Sequence, residues 1–129
     1  MSFRGVKSAR GQATVELAFS ILFLAIFFLL MLQVGLVARD QILVTQAARE
    51  GARAAAVDPS PESAVAAARS ASGLEEGRLM VEVGARPDAR GMVEVSTTYR
   101  SKVVFPGTGR SIIEPTLNAK ASMRVEGSS

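Results

Sequence analysis

Between Leu17 and Ala38 the chain runs for 22 residues without a charge, and only Ser20, Gln33 and Gly35 interrupt its aliphatic and aromatic side chains. Four of the six Phe stand in it, at Phe19, Phe23, Phe27 and Phe28. As a helix rising about 1.5 Å per residue, the run spans roughly 33 Å, enough to cross the hydrocarbon core of a bilayer. A buried core helix would need a protein able to wrap it on every side. The 91 residues that follow are too few and too polar for that. The run therefore reads as a transmembrane helix, and every other feature has to be placed around it.

The basic start, Arg4, Lys7 and Arg10, resembles the opening of a secretory signal. The rest does not fit one. The apolar run is too long, and the first Ala clusters suited to signal cleavage lie far downstream, from Ala54 to Ala56 onward. Basic residues also lie beyond the far end, at Arg39, Arg49 and Arg53, but the leading three are unopposed by acids and favour a cytoplasmic N-terminus. They also account for the whole net charge of +3, since 12 basic and 12 acidic residues balance from Gln12 onward. No basic surface remains to suggest a nucleic-acid partner. The absence of Cys leaves no disulfide or thiolate site and says nothing of redox compartment.

Beyond the apolar run, "ARDQILVTQAAREGARAAAV" is rich in helix formers and free of Pro, so a helix is expected from near Gln12 to Val57, about 70 Å if continuous. One face of its second half reads Val44, Ala47, Ala48, Gly51, Ala52 and Ala55, a stripe of small residues at helical spacing. Such a stripe lets a sheet or another helix approach the backbone closely. Arg39, Gln46, Arg49, Glu50 and Arg53 fall on the opposite side. "DPSPE" ends the helix and starts another, with Ser60 as N-cap, Pro61 at the first helical position, Glu62 near the positive end of the dipole and Gly73 as the terminator. Strands follow. Leu79, Val81 and Val83 alternate with polar or small residues, "ARPDARG" turns the chain through Pro87, Asp88 and Gly91, and Val93, Val95, Thr97 and Tyr99 alternate again. The last strand is the clearest: Leu117, Ala119, Ala121, Met123 and Val125 share one face, with Asn118, Lys120, Ser122, Arg124 and Glu126 on the other. Residues 58–129 alone make a thin core without disulfides, so the small-residue face of the long helix is the natural cover for the sheet.

Glu16 is the anomaly. A carboxylate in a bilayer costs on the order of 3 kcal/mol at the helix centre by insertion scales, and less near an end. Glu16 stands near the end, five residues after Gly11. A cut after Gly11 would make Gln12 the first residue and place a charged α-amino group one helical turn from Glu16, in the same subunit or a neighbour. At ~4 Å and an effective dielectric of ~20 such a pair attracts by about 4 kcal/mol before desolvation is subtracted. The acid gains that partner only if residues 1–11 are removed.

A short basic leader ending in Gly, a Glu at the fifth position beyond it and an apolar helix resemble the class III signal of type IV pilins and pseudopilins. Over nearly its full length the chain is similar to the TadE-like minor pilins of the tight-adherence system, most specifically in "RGQATVELAFSILFLAIFFLL" and "VARDQILVTQAAREGARAAAV", and more loosely in "LNAKASMRVE". The resemblance implies cleavage by a membrane-embedded prepilin peptidase between Gly11 and Gln12, frequent methylation of the new N-terminus, and Glu16 as the acid that docks a subunit into a filament. Major pilins of that system are very short and usually carry Tyr directly after the Glu; here Leu17 follows and a domain is appended, which implies a minor rather than a bulk subunit.

Enzymatic readings find little support. The chain has no His, which excludes Ser-His-Asp and Cys-His arrangements and imidazole ligation. Lys102 or Lys120 with a Ser reads as the solvated face of a strand, Asp58 with Glu62 and Glu75 with Glu76 read as cap and solvent residues rather than cation ligands, and "PGTGRS" from Pro106 lacks the spacing and Lys of a phosphate loop and reads as a connection between strands. The expected architecture is α+β and pilin-like: a leader over 1–11, a long helix over 12–57 that spans the membrane at 17–38 and extends over 39–57, and an extracytoplasmic domain over 58–129 with a short helix and a small antiparallel sheet packed on the long helix. No cofactor, metal or small-molecule substrate is expected. The expected partners are the bacterial cytoplasmic membrane, the peptidase, other pilin subunits and the assembly platform. The competing reading is an uncleaved single-pass anchor whose small domain binds an assembly partner.

Overall fold

The computed structural model describes residues 4–85, 91–104 and 107–126, with side chains from Arg10 onward. The side chains of Arg4 and Lys7, the turn residues Pro87 and Asp88, Pro106 and the polar end at 127–129 lie outside the described set. The chain divides into two compact units, Met1–Gly35 and Leu36–Ser129, and each is taken by itself.

Helix α1 runs from Arg4 to Val57. The expected start near Gln12 is thereby corrected. Arg, Val, Lys, Ser and Ala before Gln12 are compatible with a helix, no Pro intervenes, and adding residues to an existing helix is far easier than nucleating one. From Arg10 to Gly35 no apolar side chain of α1 is buried; Leu29 is half-buried, and Leu17, Phe23, Leu24 and Phe28 are all at 60% or more. An apolar helix with no buried face is one made to be covered by lipid or by other chains. Two of its hydroxyls bond within the helix: Thr14 Oγ1 donates to Arg10 O at 3.0 Å and Ser20 Oγ to Glu16 O at 2.9 Å.

In the second unit, residues 36–57 of α1 are covered by α2 (Pro61–Ser72) and by a three-stranded antiparallel sheet. Helix α2 starts and stops as its sequence dictates. Ser60 Oγ accepts from Ser63 N at 3.2 Å, Pro61 opens the helix, and Gly73 closes it at φ 61, a left-handed conformation in which Gly carries no Cβ penalty. The sheet has the order β1 (Leu79–Val83), β2 (Met92–Arg100), β5 (Thr116–Arg124), with β2 in the centre. Its register runs from Leu79↔Tyr99 to Val83↔Val95 on one side and from Met92↔Arg124 to Arg100↔Thr116 on the other. Val93, Val95, Thr97 and Tyr99 of β2 are all buried.

One correction and one addition concern the last third of the chain. The final strand ends at Arg124, and Met123 is 40% exposed although the alternation assigns it inward. Val125 is buried just past the strand, where its N–H donates to Gly91 O at 2.9 Å. Between β2 and β5 the chain also forms a separate two-stranded hairpin, β3 (Val103–Val104) with β4 (Ser111–Ile113), in which Gly107 and Gly109 take positive φ. Branched residues on both sides of a Gly-containing turn are a hairpin signal, but strands this short do not set up a period.

Candidate functional site

Two stretches of α1 carry the candidate residues. In the first unit Arg10, Gly11, Gln12 and Glu16 are exposed and helical. Gln12 and Glu16, four residues apart, share a helix face about 6 Å apart along the axis. No cation pairs with Glu16 among the described residues. A Cβ built on Gly11 would meet nothing within 4 Å. Packing within the chain therefore does not call for a Gly there, although a Gly in a helix costs about 1 kcal/mol relative to Ala. The chemistry on offer is a small, accessible peptide junction, a carboxylate one turn beyond it, and an apolar helix with no face turned inward.

In the second unit the stripe faces a protein core. Val44, Ala47 and Ala48 are fully buried, as is Ala52 to 1% and Ala55 to 4%, while Arg39, Gln46, Arg49, Glu50 and Arg53 are exposed. Ala52, Ala55 and Ala56 pack with Ala64 of α2 and with Val93, Val95 and Val125. Val44 packs with Leu79 and Tyr99. Gly51 lies at the closest approach: a Cβ there would stand 3.1 Å from Val95 Cγ1, 3.3 Å from Ala64 O and 3.3 Å from Ala68 Cβ. The largest side chains with less than 2% exposure are Val44, Val93, Val95, Thr97 and Ser101, and Leu79 and Tyr99 are the larger members of the core.

Polar ties between helix and sheet were not legible in the sequence. Thr97, on the inward face of β2, donates from Oγ1 to Val44 O at 3.0 Å. Gln41 Nε2 donates to Asn118 O at 3.1 Å, and Glu126 N to Ala56 O at 3.2 Å. Ser101 Oγ donates to Asp40 Oδ2. Tyr99 is held above the ordinary phenol value of 10.0, first by burial and then by the negative charge of Asp40. A Thr at an alternating position gave one available signal, since a buried hydroxyl demands an acceptor.

Several other titratable side chains cap an element or pair at the surface. Asp58 Oδ1 accepts from Ser60 N at 2.9 Å ahead of α2, and Glu75 and Glu94 pair with Lys102 and Lys120 at 3.1 and 3.4 Å on the surface. Arg78 spreads its donors over Arg100 O at 2.7 Å, Ser101 O at 3.4 Å and Glu114 Oε1 at 3.4 Å.

No curated protein and no solved structure matches the chain. A family model does, over the segment that holds Gly11, Glu16, the apolar run and most of the small-residue stripe. Residues 11–53, a third of the chain, match the model of the family described as TadE-like protein.

Proposed function

We propose that the chain is a minor pilin or pseudopilin of a tight-adherence pilus, made as a precursor, cut after Gly11 by a prepilin peptidase, and placed in or at the tip of an adhesive filament. The observation that supports this best is an apolar helix segment with no buried side chain that carries Glu16 five residues after Gly11, within the family-matched segment. In this reading residues 1–11, with Arg4, Lys7 and Arg10, form the leader and keep the N-terminus cytoplasmic. Residues 17–38 hold the precursor in the membrane as a single pass and later join the filament core. Glu16 pairs with the α-amino group of Gln12 in a neighbouring subunit, which draws the subunit into register. Extraction from lipid into a filament exchanges one apolar environment for another, so the exposed Phe and Leu side chains suit both states. The small-residue stripe of α1 carries the domain that distinguishes this subunit from a bare filament helix, and the matched family is a structural one.

The deciding experiment is the intact mass and N-terminal sequence of the protein isolated from its native membrane. A chain that begins at Gln12, with or without an added methyl group, is expected. A chain that keeps residues 1–11 in cells whose other prepilins are processed would overturn the proposal in favour of an uncleaved anchor with an assembly partner.

A further inference from the structure

The three-stranded sheet has two edges, and they end differently. At one, α2 packs against β1, and Arg69 of α2 lines a groove with Leu79, Met80 and Val81. At the other, β5 runs for nine residues with no Pro and no break in its register with β2. Among the described residues no element flanks β5 as α2 flanks β1. Natural sheets ordinarily blunt so long an edge with a bulge, a Pro or a covering element.

The bonds just outside the ladder fix which backbone groups are free. Ser101 N donates to Pro115 O at 3.0 Å, and Val125 N to Gly91 O at 2.9 Å. In an antiparallel pair alternate residues bond to the partner strand, so the odd-numbered residues of β5 bond to β2. Thr116, Asn118, Lys120, Ser122 and Arg124 turn their N–H and C=O groups away from it. One of these acceptors is taken from the side, where Gln41 Nε2 of α1 donates to Asn118 O at 3.1 Å. From Lys120 to Arg124 the outward backbone groups have no partner among the described residues.

The side chains define what fits there. The inward row of β2 is buried throughout, but on β5 Leu117, Ala119 and Ala121 are only half-buried and Met123 is 40% exposed. A further strand would complete the cover of that row with aliphatic side chains of its own. On the other face Lys120 and Arg124 are exposed. Lys120 meets Glu94 at 3.4 Å, and Arg124 has no ion pair among the described residues. A second copy fits poorly. Antiparallel pairing of the whole strand with itself sets Lys120 against its own counterpart, and like charges directly opposite each other are destabilising. Carboxylates at those positions suit both cations.

We infer that the free edge of β5, from Lys120 to Arg124, receives an extended segment of another protein, paired as an added strand with acidic side chains on the Lys120 face and aliphatic ones on the Met123 face. The inference concerns the Leu36–Ser129 unit alone and stands whether or not the chain is cleaved after Gly11.

The full chain in detergent micelles is followed by residue-resolved amide hydrogen exchange. The probe is a peptide as long as β5, in which Glu and Thr alternate with Val and Ala. Without peptide, the N–H groups of Lys120, Ser122 and Arg124 are expected to exchange fast, and those of Ala119, Ala121 and Met123 slowly. The acidic peptide should slow the first set by about tenfold or more. The same peptide with Lys in place of Glu, or with its Glu and Thr nitrogens methylated, should leave that set unchanged. Equal slowing by the Lys peptide overturns the acidic partner, and equal slowing by the methylated peptide overturns strand pairing. No slowing by the acidic peptide overturns the site. Slow exchange of the first set without peptide, lost on dilution, overturns the inference in favour of a second copy of the chain.

Discussion

Helix α1 contains two solutions to the placement of apolar residues, and they differ chiefly in side-chain size. From Arg10 to Gly35 the large apolar residues are Phe, Leu, Ile, Met and Val, and none is buried. In residues 36–57 the inward ones are Ala, Gly and Val, and several are fully buried. A large aliphatic or aromatic side chain gains about 1.5–3 kcal/mol when fully removed from water, so the first segment holds a substantial driving force that its own unit leaves unused. An Ala offers much less area. What it offers is approach: its small size lets α2 and the strands come close enough for dense packing. One segment is written for surroundings supplied by something else, the other for a partner supplied by the same chain. The glycines repeat the contrast. Gly11 has open space where a side chain would go, and Gly51 has three atoms within 3.3 Å.

The largest expected effect breaks the first half of the comparison. Glu16→Ala removes an exposed acid and should abolish incorporation into filaments while leaving membrane insertion intact, as read by fractionation of cells into membrane and sheared pilus. Normal assembly by this variant would remove the docking role of Glu16. The second half is tested by enlargement. Gly51→Leu forces a side chain against Val95, Ala68 and the backbone of α2, and should destabilise the Leu36–Ser129 unit by about 1–3 kcal/mol, the usual cost of overpacking. Ala25→Leu, on the exposed apolar run, should leave the same denaturation midpoint unchanged. Equal effects from the two would show that the stripe is not under packing constraint.

The smallest effect sharpens the description of the core. Burial and the charge of Asp40 raise the Tyr99 phenol above 10.0, so the folded state keeps its proton where the unfolded state has lost it. The resulting contribution is complete below pH 10 and is lost as pH rises through the folded-state value. Asp40, Arg78, Glu75 and Lys102 all act on this hydroxyl, so the clean measurement is a difference. Tyr99→Phe should fall less steeply in stability than the natural chain above pH 10, with parallel curves below it. Parallel curves throughout would mean that Tyr99 ionises as readily folded as unfolded.

Much of the fold is legible in the sequence. The Ser60 cap, Pro61 and Gly73 delimit α2 because each acts through its own local geometry. The alternation in β2 was legible because one face of a central strand is buried along its full length. Met123 misled because β5 lies at the sheet edge, where an inward position near the end of a strand can lie open to water. The hairpin β3–β4 escaped because two or three residues are too few to show a period. At the N-terminus, the expectation for Gly11 and Glu16 rests on order and spacing, which a chain carries whether or not it is folded.

The sequence by itself determined the features that depend on neighbours along the chain: an uncharged run long enough to span a bilayer, the helix punctuation around residues 58–61, the period-two strands, and a Gly and a Glu at a set distance ahead of the apolar run. Only the tertiary structure decided which atoms meet across the fold. It set Gly51 against Val95 and Ala64, bonded Thr97 to the carbonyl of Val44, and tied Ser101 to Asp40. The reason is range. Caps, turns and periodicity act over a few residues of chain, whereas packing and buried hydrogen bonds join residues 44 and 97 or 40 and 101, whose meeting depends on every element folded between them.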